Sequence, residues 1–498
     1  MGVIRRQTMK YSIVNLVGLM IGAVSTFFVY PHALVAYGLF QVLQSVGMIG
    51  MPLLTFGANT VAIRFFPRFQ DDKTGHHGFV VLLVALCCVG FLVSGILVGV
   101  FWDEVIHFMQ TRSKEGAAAL LPTYFWIALP LAFFYATGLV LSVYSSNFKR
   151  IVVPSLLLDF SQKIVAPFLL IAVWQQWITL ETALYGLIVH SALVMTCLIF
   201  YLRWLKEWHW KPQPAFLTPV LRKELLQFIV FGAVGGFALQ LASKVDIFMV
   251  GSMRALKDAG IYSIAGYIAA AIDIPTKGLY AASASSVAQY LAKDDRPALE
   301  SLYKKVSINL LVIGVLLFGA AWTSIDELFQ VMPNGKEVAA GKFVLLYIGF
   351  SRLVEMGTGL NNYLMYYSKY YLYALVSLTM LAVANISLNL WLVPKWGIDG
   401  AAIATLISVA SYNLISVGLV WYKFRLQPFT RNTLLVLAAG LLAYGLVFYF
   451  PKTEVPLLDI VLRSGLFVLI FGGLAYYFRF SRDLNEMVKM LVGKIKRS

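Results

Sequence analysis

At 498 residues, with 60% hydrophobic and 13% charged side chains and a mean hydropathy of +0.77, the chain carries more apolar surface than a water-soluble fold can bury. This excludes a string of soluble domains and leaves one polytopic membrane domain with the bilayer as its solvent. The net charge of +16 does not point to nucleic acid, because Lys and Arg cluster at the ends of apolar segments rather than on a polar domain.

Fourteen segments reach the roughly 20 apolar residues that a membrane helix needs. In chain order they are 11–30, 38–60, 79–101, 120–141, 151–174, 182–204, 225–250, 259–281, 306–324, 340–364, 371–393, 399–422, 432–450 and 457–478. The first follows Arg5, Arg6 and Lys10 as a signal peptide would, but it has no good small-residue cleavage site and another span follows closely. It reads as a retained first helix. Prolines punctuate several segments, among them Pro52, Pro154, Pro167 and Pro275. Membrane helices tolerate this where neighbours satisfy the freed backbone groups.

Cys87, Cys88 and Cys197 all lie inside apolar segments, without the spacing of a disulfide framework or a metal site. The six histidines form no metal motif, and His76 and His77 read as solvated loop residues. If the N-terminus is cytoplasmic, the cytoplasmic segments carry 27 Lys or Arg and the opposite loops 9. That bias puts both termini inside and makes the helix number even. The basic tail from Arg479 to Arg497 is then expected to lie against the anionic cytoplasmic leaflet.

The chain also repeats itself. Residues 36–40 read AYGLF and 258–262 read DAGIY, while 180–183 read LETA and 398–401 read IDGA, at offsets of 222 and 218. Each pair opens the same helix of its half, with Pro52 and Pro275 following the first pair. The expected organisation is a six-helix bundle over 1–210, a second over 211–425, and two further helices with a basic cytoplasmic tail over 426–498. Six is even, so the two repeats run parallel.

Residues 394–408, PKWGIDGAAIATLIS, resemble the start of the twelfth helix in the multidrug/oligosaccharidyl-lipid/polysaccharide flippase superfamily. AYGLF resembles that superfamily's second-helix opening, and SKVDIFMVG its seventh helix. The chain looks most like the polysaccharide transporter branch. The resemblance implies an all-α, MATE-like fold of about fourteen transmembrane helices in the bacterial cytoplasmic (inner) membrane. It also implies two bundles around a central cavity working by alternating access. The substrate would be an undecaprenyl-diphosphate-linked O-antigen or capsule unit, and polysaccharide assembly proteins would be partners alongside membrane lipids. By their own chemistry, Gly400, Ala401, Ala402, Ala404 and Ser408 let neighbouring helices approach closely.

Charges inside membrane segments are costly and mark function or pairing. Asp159–Lys163, Asp273–Lys277 and Arg352–Glu355 sit at helical spacing, so each pair can neutralise itself or line a wet cavity. Lys244 and Asp246, two residues apart, face different ways, so at least one needs a partner on another helix, the segment with Asp273 and Lys277 being nearest. Arg64 lies at the end of the second segment, where it can snorkel. Lys244, Lys277, Lys163, Arg352 and Arg64 are candidate cations for a lipid diphosphate. Asp246, Asp273, Asp159 and Glu355 are candidate carriers of a coupling H⁺ or Na⁺. Asn15, Gln41, Gln44, Asn59, Gln240, Asn361, Asn362, Asn385 and Asn389 offer amides to sugar hydroxyls or to neighbouring helices.

No enzymatic role, cofactor, metal or nucleic-acid partner is expected. A MATE-type drug or organic-cation exporter and a lipid II or teichoic-unit flippase are the alternatives. An integral membrane polymerase or ligase fits poorly, because the external loops are short and carry no clustered acid, base or nucleophile.

Overall fold

The computed structural model describes residues 3–112 and 117–495, which contain helices and no strands. The first helices are α1 (Val3–Val24), α2 (Leu34–Leu54), α3 (Phe79–Val100), α4 (Ala128–Ser146), α5 (Ser161–Trp174), α6 (Leu180–Trp204) and α7 (Pro219–Met253). They are followed by α8 (Leu256–Ile272), α9 (Ile274–Ala292), α10 (Arg296–Thr323), α11 (Lys342–Thr358) and α12 (Asn361–Tyr366). The chain closes with α13 (Tyr371–Phe424), α14 (Arg431–Phe448), α15 (Pro456–Tyr477) and α16 (Arg482–Ile495).

Local chemistry sets many of these boundaries. Thr179, Thr218 and Asp295 cap α6, α7 and α10 by accepting the N–H of Thr182, Leu221 and Ala298. Pro219 and Pro456 stand at the first turn of α7 and α15, where a missing N–H costs nothing. Thr430 and Thr433 form a reciprocal capping box at α14.

Ten helices among the described residues are long and apolar enough to cross a membrane. Two exceed a single crossing: Lys10–Leu54 at 45 residues and Tyr371–Phe424 at 54. The second turns back on itself at Gly397, whose φ of +59° suits a residue without a side chain. An added Cβ on Gly400 would lie 2.3 Å from the Leu392 carbonyl oxygen, eight residues upstream, which only a sharp reversal permits. The expected segments 259–281 and 340–364 are each broken, at Asp273 and at Gly359. They therefore fall outside the ten.

The chain divides into two compact units, residues 1–263 and 264–498. The core of the first gathers Val61, Phe65, Phe66, Leu83, Leu141, Tyr144, Leu198 and Leu202. In it Phe66 meets Tyr144 and Phe148 edge-on at 5.7 and 5.1 Å. The core of the second is built on Tyr303, Leu310, Met356, Leu364, Val436, Phe467 and Phe471. Arg463 of α15 is 5% exposed there, and its guanidinium donates to the carbonyls of Thr323, Val447 and Phe450. A buried cation thus meets the carbonyl-rich C-terminal ends of α10 and α14, where the helix dipole is negative.

Candidate functional site

The first unit encloses a cavity of ≈ 290 Å³. Helical spacing builds its walls. On α2, Tyr37, Gln41, Gln44 and Met48 recur every three or four residues; on α5, Lys163, Ala166 and Leu170 do the same, with Gln162 beside Lys163. α6 adds Leu187, His190 and Ser191, α4 adds Tyr135, and α1 adds Asn15. Tyr30 stacks on Tyr37 with ring centroids 4.1 Å apart. The Ser161 hydroxyl and His190 Nε2 share a hydrogen bond of 2.9 Å.

Asp159 enters the cavity from a π-helical turn, Leu156–Phe160, immediately before α5. Turns of this kind recur at functional sites. Asp159 accepts a hydrogen bond from Ser155 at 3.3 Å and, among the described residues, makes no ion pair with Lys163. The expected partnership at four-residue spacing therefore does not form, and Asp159 sits inside the π-turn itself. The Lys163 amine instead lies beside Gly18 of α1, where an added Cβ would sit 3.3 Å from both its Cδ and its Nζ.

The other candidates lie elsewhere. Asp246 on α7 is 6% exposed and accepts a hydrogen bond from the Tyr262 hydroxyl at 3.1 Å. Lys244 is half-buried on the same helix, and Arg64 is exposed with its guanidinium 4.6 Å from the Phe228 ring centre. In the second unit Arg352 and Glu355 form the expected ion pair at 3.0 Å. Asp273 occupies the break between α8 and α9; its Oδ1 is buried without a hydrogen-bond partner, and Lys277 is exposed. Thr358 and Asn361 both donate to Asn413 Oδ1, at 2.9 and 3.1 Å, and the Tyr412 hydroxyl donates to Asn362 Oδ1 at 2.8 Å. These asparagines serve as interhelical hydrogen bonds, one of the two roles open to them from sequence. Sequence reasoning missed His190, Tyr135 and Gln162. His190 carried a usable signal as an ionisable group inside a membrane segment.

His76 is 1% exposed rather than solvated as expected, and it belongs to a clasp between two loops. Gly75, His76, His77 and Gly78 all take left-handed backbone, with φ of 64°, 54°, 52° and 71°. Two non-glycine residues in that region cost strain that surrounding contacts must hold. His77 stacks on Phe216 at 3.9 Å and its Nδ1 meets Gln213 Oε1 at 2.7 Å. His76 Nδ1 accepts the Asp71 amide N–H at 3.1 Å, so its Nε2 carries the ring proton and donates to Glu207 at 2.9 Å.

His76, Glu207 and His209 bring ligand atoms within 4.8 Å of one another. A metal on Nε2 would need the proton on Nδ1, where the Asp71 N–H already points, so these residues do not suit a metal. The Asp71 carboxylate is held below its ordinary range by hydrogen bonds from the Thr74 hydroxyl and the Lys73 amide.

No family model and no curated protein matches the chain by sequence. Solved structures do resemble it. With the lipid II flippase MurJ in an inward closed conformation the TM-score is 0.70 at 15% identity, over 94% of this chain and 98% of that one. With an inward-facing multidrug resistance MATE family transporter of the MOP superfamily it is 0.63 at 15% identity, over 82% and 94%. With a MOP superfamily transporter from Pyrococcus furiosus it is 0.57 at 14% identity, over 85% and 95%. At these identities the likeness shows the fold: this is an all-α polytopic membrane protein with the fold of MOP-type transporters and flippases.

Proposed function

We propose that the chain is a flippase that carries an undecaprenyl-diphosphate-linked oligosaccharide, an O-antigen or capsule repeat unit, across the bacterial cytoplasmic membrane by alternating access. The observation that carries the reading is the lining of the first unit's cavity. There Lys163 lies among the amides of Asn15, Gln41, Gln44 and Gln162 and the rings of Tyr30, Tyr37 and Tyr135. Amides and tyrosines meet sugar hydroxyls and ring faces, and an ammonium meets a phosphate oxygen. The polyprenyl tail would stay in lipid. Asp159 in the cavity, Asp246, and the Asp273 and Glu355 carboxylates of the second unit are the proposed carriers of a coupling H⁺ or Na⁺. Similarity over nearly the whole length of a protein named as a lipid II flippase supports a lipid-linked substrate.

The test is a reconstituted flipping assay with a defined lipid-linked oligosaccharide, with and without imposed H⁺ and Na⁺ gradients. Gradient-dependent flipping is the expected result, and none under any gradient overturns the reading. Two other readings have support. Lipid II as cargo follows the same structural likeness, and an organic cation follows the exposed Asp159 carboxylate and the likeness to the MATE transporter. Lipid II and a cationic dye, run as separate arms, distinguish the three.

A further inference from the structure

The C-terminal helix α16 supports an inference independent of the cargo. In sequence its apolar positions 484, 487, 488, 491, 492 and 495 follow three- and four-residue spacing. Leu484 packs on the core of the second unit, while Glu486, Lys489 and Met490 are exposed on the other side.

The helix is firmly rooted at its start. Asp483 meets Lys305 Nζ at 3.0 Å and Asn309 Nδ2 at 3.0 Å, and the Ser481 hydroxyl donates to Asn309 Oδ1. Asn485 donates to the Tyr476 carbonyl at 2.8 Å, and Asn432 of α14 donates to the Phe480 carbonyl at 3.1 Å. Lys305 directly precedes the apolar run of α10, and Tyr476 ends that of α15. The root therefore stands where two membrane helices reach the edge of the hydrocarbon.

A strongly amphipathic helix of low overall apolarity starting at that level lies in the interface plane. Lys489 and Lys494, with Lys496 and Arg497 beyond, outnumber Glu486 along its outer part. Basic groups at that depth are drawn to anionic headgroups. We infer that α16 is an anionic-lipid anchor. Beyond its root the helix lies at the bilayer surface, Lys489 engages phospholipid phosphates, and Asp483 transmits that hold to α10.

The full-length protein in nanodiscs of phosphatidylcholine alone, or with about one third phosphatidylglycerol, tests this by amide hydrogen exchange over residues 484–495. Protection is expected to rise about tenfold or more with the anionic lipid. The rise should disappear in a K489E/K494E double variant whose residues 300–310 exchange as in the unchanged protein. Equal protection in both lipids overturns the inference, as does a rise that survives in the double variant. So does protection that follows the number of protein copies per disc instead of lipid charge, since α16 would then be covered by a second chain.

Discussion

Gly38 and Gly260 press against each other's helices in a reciprocal way. The side-chain position of Gly38 points at the carbonyl oxygen of Leu256, four residues before Gly260, and that of Gly260 points at the oxygen of Leu34, four residues before Gly38. The two glycines are the central residues of AYGLF and DAGIY, separated by the 222-residue offset of the repeat. Each presents an Hα where any other residue would present a Cβ, which makes a weak C–H···O contact in both directions. An added methyl would sit 1.7 Å from Leu256 O on Gly38 and 2.4 Å from Leu34 O on Gly260. Both obstacles are backbone and cannot swing aside. Gly38→Ala is therefore expected to cost about 1–3 kcal/mol, and more than Gly260→Ala. Thermal unfolding of the two purified variants measures the difference. An unchanged melting temperature for Gly38→Ala would show that the helices part more easily than this contact implies.

Lys163 brings an ammonium to the cavity, and it lies beside Gly18. Lys163→Gln keeps the length and polarity but removes the charge that a phosphate would meet. Flipping of a lipid-linked oligosaccharide is expected to fall about tenfold or more, with membrane insertion and melting temperature unchanged. Transport equal to that of the unchanged chain would remove Lys163 from the substrate path.

The His76 clasp predicts indifference to metal. Because Nδ1 is occupied by the Asp71 N–H, zinc at micromolar concentration should leave the melting temperature where a chelator leaves it. Glu207→Gln retains an oxygen that can accept the Nε2 proton and is expected to melt within about 1 kcal/mol of the original. His76→Ala loses both bonds and the packing on Phe66 and Phe148, and should destabilise by about 2 kcal/mol or more. A zinc-dependent rise in melting temperature would refute this tautomer assignment.

Asp483 gives a pH dependence with a definite sign. Burial alone would push its carboxyl up, but hydrogen bonds from Lys305 and Asn309 outweigh that and hold it below 3.8. The unfolded or detached helix therefore binds the proton more readily than the rooted one. The root's stabilisation is fully present above 3.8 and is lost as pH falls through the lower, folded value. A spin label at the exposed position 486 should show constant mobility from about pH 7 to 5 and loosen only below about 4. Asp483→Asn should be mobile throughout that range. A wild-type transition near neutrality would mean that another group controls the root.

How much of this was written in the sequence depends on the regularity of the backbone between paired residues. The apolar runs, the all-helical fold and the Arg352–Glu355 pair were all legible, because α11 is an uninterrupted helix between those two side chains. The same spacing argument failed for Asp159, which sits inside a π-turn, and for Asp273, which lies at the break just before the helix that carries Lys277. Proline hinted at the second irregularity, but nothing in LLLDF announces the first. The clasp was illegible for a related reason. Its two histidines adopt left-handed backbone held by residues more than 130 positions away, and no local pattern encodes that.

The π-turn at Leu156–Phe160 carries one residue more than a continuous α-helix would use. That surplus sets which way the segment before it faces relative to α5. Deleting one residue from Leu156–Leu158 would close the ladder into a regular helix and rotate the preceding segment by about 100°. Asp159 and Lys163 would keep their spacing, while Val152–Ser155 before them turned to another face. The extra residue thus sets the facing of that upstream segment and leaves the stretch carrying both cavity charges unchanged.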